Sequence, residues 1–171
     1  MEMEESSLEE RYQTSFVYDK YNKTLALPDS IDKEKHAVST LVSKTIREQQ
    51  GICLKLVYED EASGLPVSWQ LPGNAIMKDI VAEAKKYNVP VVLHATSYAA
   101  QKFALNTGVQ VLAHSMWNWS ADPAEFNNKK LTAAHKGLLL QIAKRNIAYQ
   151  PTFRAITAEY DLLNSGFVND E

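Results

Sequence analysis

Short apolar segments alternate along the chain with longer segments in which apolar residues recur at the three-to-four-residue spacing of a helix. The short segments predict four strands, the first two of them buried: Ile52–Val57, Val89–Leu93, Val109–Ala113 and Ile147–Gln150. The longer segments predict five helices. The first begins near Pro28-Asp29-Ser30, is capped by Ser30 or Asp32 and ends at Gln49-Gln50-Gly51. The second begins at about Asn74, and the third is Ser97–Thr107. The fourth is marked by Leu131, Ala134, Leu138 and Ile142, and the fifth covers roughly Arg154–Leu163. This alternation predicts an α/β fold with a parallel sheet paired in sequence order, and functional residues at the carboxyl ends of its strands.

Composition changes once along the chain. Residues 1–30 are polar and weakly patterned, whereas residues 31–171 contain all the predicted strands and nearly all of the predicted helices. We therefore expect a polar N-terminal segment followed by one domain. The 171 residues suit a single domain but fall short of the roughly 250 that a complete (β/α)₈ barrel needs.

Charge and hydrophobicity exclude several classes of protein. The net charge is −3, and Lys and Arg are scattered, which argues against a nucleic-acid-binding protein. No apolar run approaches the roughly 20 residues of a membrane span. The single cysteine, Cys53, lies in a predicted strand, where a small buried hydrophobic residue is expected. The cytoplasm is the default location, and that expectation lapses if a targeting segment is missing from this sequence.

Each predicted strand ends in or is followed by residues that include polar side chains. These residues are Lys55 to Glu59, of which Lys55 is still within the first strand, His94, His114 and Gln150 to Thr152. Imidazole is a common ligand of divalent metals, and the two histidines are expected to converge because parallel strands end at one edge. A lysine within an apolar strand is costly unless it is paired or chemically altered, so Lys55 is either a metal-site residue or the partner of Glu59 or Glu61 in a buried salt bridge.

The segments around the two histidines resemble a known superfamily. Val91-Val92-Leu93-His94-Ala95, Thr107-Gly108-Val109 and Leu112-Ala113-His114-Ser115 are similar to strands five and six of the amidohydrolases, with the imidazolonepropionase-like and Xaa-Pro dipeptidase-like branches nearest. Leu54-Lys55-Leu56 resembles strand four, and residues 147–152 resemble strand seven. The resemblance spans about residues 31–165. It implies a partial (β/α)₈ barrel of the TIM type, made of parallel strands four to seven with flanking helices.

The resemblance also implies a chemistry. The family hydrolyses amide, peptide or cyclic amide bonds with a water molecule activated by one or two divalent metals, most often zinc. By this resemblance the metal ligands are Lys55 (as a carboxylated lysine), His94 and His114. The substrate is a small or dipeptide-like molecule, and from their places beyond the strand ends Tyr58, Glu59 and Arg154 are the residues expected to meet it, with a surface role as the alternative for Arg154. Carboxylation would convert a buried cation into an anion that metals neutralise.

The chain departs from the family pattern at two places. The His-x-His motif of strand one is absent: the other histidines are His36, expected to be solvated, and His135, expected to pack at a helix edge. The strand-eight aspartate, the general base of the family, also has no counterpart, so no catalytic residue is assigned. We therefore expect little hydrolase activity from this chain alone, and pairing of its sheet edges with a second copy or with the missing part of the barrel.

Two other interpretations stay open at this stage. The chain is alternatively a non-catalytic barrel fragment that serves as an interaction or structural module. A doubly wound nucleotide-binding domain is a weaker third hypothesis, because no Gly-rich first turn follows any predicted strand.

Overall fold

A computed structural model describes residues 17–23, 29, 31–59, 71–116 and 132–151. In these residues it contains four α-helices and four β-strands that alternate. In chain order they are α1 (Val38–Arg47), β1 (Leu54–Val57), α2 (Asn74–Lys86), β2 (Val91–His94), α3 (Tyr98–Ala104), β3 (Val111–Ala113), α4 (Ala133–Lys144) and β4 (Ala148–Gln150). The predicted last helix, Ser30, Glu61, Leu131, Thr152 and Arg154 lie outside the described residues.

The four strands form one parallel sheet in the order β1-β2-β3-β4. Val92 pairs with Val111, and Val111 pairs in turn with Ala148. Backbone hydrogen bonds from Leu54 N to Pro90 O (2.9 Å) and from Tyr58 N to His94 O (3.1 Å) align β1 with β2 in the same direction. The predicted α/β fold, with parallel strands in sequence order and flanking helices, is confirmed.

The described residues form two compact units. One contains α1 and α2, together with the chain up to Leu54 and Pro72–Val91. In it α1 packs against α2, and Val42 is the buried residue of α1. Helix α2 begins at Asn74, as predicted, and its inward positions recur every three to four residues: Ile76, Met77, Ile80 and Ala84.

Helix α1 begins later than the sequence predicts. The Asp32 side chain accepts a hydrogen bond from the backbone N–H of Glu34 (3.1 Å), and the next backbone bonds span three residues, as in successive turns. Such a local side-chain bond competes with helical hydrogen bonding. The regular helix therefore starts at Val38, eight residues beyond Ser30.

The second unit contains α3, β3, α4 and β4, with Lys55–Leu71 and the chain from Val92. Both of its helices are capped by hydroxyls: Ser97 Oγ accepts from Ala100 N (3.0 Å), and Thr132 Oγ1 accepts from His135 N (3.3 Å). His135 is buried, as expected for a packing residue, and its ring meets the Tyr98 ring edge-on at 5.1 Å between centroids.

The predicted burial of the first strand, of Cys53 and of Ala134 is wrong. Ile52 is 87% exposed, Cys53 is exposed, and Val57 is 54% exposed, so the first strand is not buried along its length. Strand β1 lies at an edge of the described sheet and therefore has one neighbouring strand to cover it. On α4, Ala134 is exposed and the adjacent His135 occupies the inward position instead.

The two faces of the sheet differ in burial. Alternation along the strands and the pairing register place Leu54, Val91, Leu93 and Leu112 on one face, all of them buried. The opposite face, called here the open face, contains Lys55, Val57, Val92, His94, Val111, Ala113, Ala148 and Gln150. Of these, only Ala113 is buried, and Lys55, Val57, Ala148 and Gln150 are exposed. None of the helices in the described part of the chain is long and apolar enough to cross a lipid bilayer.

Candidate metal centre

Two histidines meet at the carboxyl end of the sheet. His94 is the last residue of β2, and His114 directly follows β3, its neighbour in the sheet. Their ring centroids are 4.5 Å apart, with the rings inclined by 67°. The predicted convergence of the two side chains is confirmed, and it follows from parallel pairing of two strands that both end in histidine.

The backbone at His114 is turned to bring its ring to His94. Strand alternation would direct His114 to the same face as Leu112, which is the buried face, whereas His94 lies on the open face. His114 instead has φ of 76°, in the left-handed region that non-glycine residues rarely adopt. This break in the strand allows the contact between the rings, and strained backbone of this kind is concentrated at functional sites.

Glu59 and Thr96 form the surroundings of His94. The alignment of β1 with β2 places Glu59 beside Thr96, each two residues beyond a strand residue of the open face. The Glu59 carboxylate contacts His94 Nε2 through one oxygen and accepts a hydrogen bond from Thr96 Oγ1 (2.9 Å) through the other. Glu59 and Thr96 are 8% and 2% exposed. A buried carboxylate is therefore compensated at both oxygens.

Lys55 is exposed, so the expectation of a buried cation within the first strand is wrong. The burial cost that favoured an altered or salt-bridged lysine does not arise at this position. Within the described residues, Glu59 pairs with His94 rather than with Lys55. The positive charge of Lys55 nevertheless acts on His114, because it is one of the influences that lower the pKa of that imidazole.

Electrostatics favour the neutral form of His114. Burial lowers the pKa of the His114 imidazole below its ordinary value of 6.5, and repulsion from His94 and Lys55 lowers the pKa further. Glu59 acts in the opposite direction and is the smallest of these influences. A neutral imidazole is the form that binds a metal ion, so the environment of His114 suits a ligand.

The residues predicted to contact substrate, Tyr58, Glu59 and Arg154, differ in their surroundings. Tyr58 is half-buried, and its ring packs on Phe103 of α3 with 4.4 Å between centroids. Glu59 is engaged by His94 and Thr96, as described above. Arg154 lies outside the described residues.

A buried polar network behind the site was not predicted. Gln101 of α3 is fully buried, and its amide Nε2 donates to Ala95 O (3.1 Å) and to Tyr149 Oη (2.8 Å). The same Tyr149 oxygen accepts from Met116 N (3.1 Å), two residues beyond His114. The network therefore ties the segments that follow His94 and His114 to α3 and β4. A glutamine on the inward face of a helix was the available signal.

The donor atoms fit part of a metal shell. Two adjacent imidazoles suit two ligand positions of zinc or a similar divalent ion. Within residues 17–23, 29, 31–59, 71–116 and 132–151, however, no three His, Cys, Asp or Glu side chains are arranged to hold a metal. The described residues thus offer two ligands and no closed shell.

Comparisons with known proteins add no relative to this picture. Neither models of protein families, nor curated proteins, nor solved structures match the chain.

Proposed function

We propose that this chain contains part of the metal centre of an amidohydrolase-type hydrolase, with His94 and His114 as two ligands of a divalent metal. The main support is the contact between the two imidazoles, 4.5 Å apart at the carboxyl ends of neighbouring parallel strands. In α/β enzymes generally, residues at the carboxyl ends of different parallel strands bind the same ligand.

The open face of the sheet is consistent with a partial (β/α)₈ barrel. In such a barrel one face of the sheet lies under the helices and the other lines the barrel interior. Parallel sheets are normally covered on both faces, whereas Val57, Ala148 and Gln150 are exposed here. We propose that further strands, from a second copy or from the rest of a longer barrel, cover this face and contribute the remaining ligands.

When bound, a zinc ion in such a centre polarises a substrate carbonyl and lowers the pKa of a water molecule. The residues of this chain would bind the metal ion and orient the groups around it. His94 and His114 supply nitrogen ligands, and Lys55 adds a nearby charge or, if carboxylated as in the resembling family, a bridging ligand. The substrate class is an amide, peptide or cyclic amide of small size. Since two imidazoles leave the shell incomplete, the isolated chain is expected to show little hydrolysis.

A second candidate function is a non-catalytic interaction module. The observation that favours it is the exposed edge strand β1, together with the lack of a three-ligand group in the described residues. Unpaired strand edges present backbone donors and acceptors that pair readily with another chain.

Zinc binding separates the two candidates. The purified chain is titrated with zinc chloride alone by isothermal calorimetry, alongside the variants His94→Ala and His114→Ala. The hydrolase proposal requires saturable binding to the wild-type chain that both variants lose. His36→Ala removes a histidine from the other compact unit and should leave binding unchanged. Zinc binding that survives both site substitutions, or its complete absence from the wild-type chain, would contradict the proposal.

A further inference from the structure

The buried carboxylate of Glu59 is bonded in a way that selects one form of the His94 ring. One oxygen contacts His94 Nε2 and the other accepts from the Thr96 hydroxyl. When ionised, the Glu59 carboxylate only accepts hydrogen bonds, and the proton of its contact with His94 is then on Nε2. The hydroxyl of Thr96 supports this arrangement, because it occupies the second oxygen and limits rotation of the carboxylate.

A neutral imidazole has one protonated and one unprotonated nitrogen. With the proton on Nε2, the lone pair available to a metal ion is on Nδ1. In the described part of the chain, the hydrogen bonding of His94 involves Nε2 and not Nδ1. The ring of His94 also lies against the ring of His114, the second proposed ligand.

We infer that Glu59 is a positioning residue: it holds His94 in the tautomer protonated at Nε2, so that Nδ1 is the metal-binding atom. The inference rests on the proposed metal centre and replaces the expected substrate contact of Glu59 with a different role. Ligand histidines commonly donate their second N–H to a carboxylate, which sets the orientation of the ring and raises its basicity. Thr96 in turn orients Glu59, because its hydroxyl donates to the second carboxylate oxygen.

A purely structural role for Glu59 makes a different prediction. A carboxylate that only compensates buried polar groups would affect stability, whichever nitrogen of His94 is protonated. The tautomer of His94 is therefore the deciding observation. It is measured on the metal-free chain by long-range ¹H–¹⁵N correlation NMR at pH 8, with the His94 signals assigned from a His94→Gln variant.

The wild-type chain should show His94 protonated at Nε2. Glu59→Leu removes the acceptor at similar size, and His94 should then shift to a mixture of tautomers. Glu59→Gln keeps an acceptor oxygen and should retain the Nε2 proton. A wild-type His94 protonated at Nδ1, or spectra identical in the wild type and Glu59→Leu, would overturn the inference. The wild-type spectrum alone can do so, whether or not a variant folds.

Zinc affinity gives a second measurement on the same proteins. Loss of a carboxylate behind a ligand histidine lowers metal affinity by about 10–100-fold, and Glu59→Leu should fall in this range. Glu59→Gln should lose less, since it keeps the hydrogen bond but not the charge. Glu83→Leu is the matched control: it removes a carboxylate that also has a close partner, Lys86 (2.6 Å), but lies in the other compact unit.

The two proposals fail in different ways. If the wild-type chain does not bind zinc while the His94 tautomer still depends on Glu59, the metal centre fails and the positioning role stands. If zinc binds the wild type and Glu59→Leu equally and the tautomer does not change, the positioning role fails and the metal centre stands.

Discussion

The two faces of the sheet differ in how deeply their residues are buried, although the same strands form both. On the buried face, Leu93 and Leu112 are fully excluded from solvent, and Tyr149 bonds to Gln101 of α3. On the open face, Val57 is largely exposed and His94 is half-buried. Core packing thus lies on one side of the strands, and the candidate chemistry lies on the other side and at the carboxyl end.

This difference shows which residues are explained by folding and which are not. Apolar residues on the buried face gain free energy from leaving water, so their presence needs no further reason. His94, Glu59 and Lys55 gain little of this kind. His94 and Glu59 lie at the carboxyl end of the sheet, whereas Lys55 lies two residues before the end of β1. Substitutions on each face test the difference between the two faces.

The largest expected effect is on the buried face. Leu112→Ala should lower the free energy of unfolding by about 2–5 kcal/mol, because Leu112 is completely buried and its removal leaves a cavity. Val57→Ala on the open face should change it by less than about 1 kcal/mol, since Val57 is 54% exposed. Urea denaturation of both variants measures the difference. Equal losses would mean that the open face is covered in solution.

The sequence predicted the buried face better than the open one. Apolar periodicity predicted the first residue of α2 and the ends of every strand to within two residues. It did so because positions that are buried against a neighbouring element are occupied by apolar residues. It overestimated the burial of Ile52 and Cys53, which precede β1, and of Val57 within it, since apolar residue type does not reveal where a strand begins or that it lies at an edge of the described sheet.

Only part of the candidate site could be predicted from the sequence. Strand ends identified His94 and His114, because parallel strands bring their carboxyl ends together. The pairing of Glu59 with His94 and Thr96 depends on the register between β1 and β2, which sequence alone does not determine. The left-handed backbone of His114 had no signal, because glycine or asparagine would normally mark it.

A smaller effect is expected where the chain turns from one face to the other. His114→Gly should be more stable than His114→Ala by about 1 kcal/mol, because alanine pays the cost of a left-handed backbone and glycine does not. The same pair at His135 should reverse the order by about 1 kcal/mol, since His135 lies within α4 and glycine disfavours helices. Thermal or urea unfolding of the four variants checks both signs. If alanine is the better residue at both positions, the backbone of His114 is not left-handed in solution.

A pH dependence of stability should distinguish the site from the core. The pKa of His114 in the folded chain is below the ordinary 6.5 of the unfolded chain. Below pH 6.5 the unfolded state therefore binds the proton more readily, and the free energy of unfolding falls as pH decreases from about 6.5 through the folded pKa. Above pH 6.5 this contribution is constant. His114→Gln should flatten the profile below pH 6.5 and leave the slope between pH 7.5 and 8.5 unchanged; parallel profiles over the whole range would rule out the effect.

The smallest expected effect is that of replacing Lys55. It tests whether this exposed lysine is part of the same site as the two histidines. Its positive charge is one of three influences that lower the pKa of His114, after burial and His94. Lys55→Met should therefore raise that pKa toward 6.5 without restoring it fully, because the burial of His114 remains. The shift is followed by NMR titration of the His114 ring protons. It should shrink further in high salt, since Lys55 is exposed to solvent and its field is screened. Lys102→Met removes an exposed lysine of α3 that is not among these influences, and it should leave the titration unchanged. If Lys55→Met has no effect at low salt, then Lys55 is too far from His114 to share a metal with it, and the proposed centre reduces to the two histidines and the carboxylate behind His94.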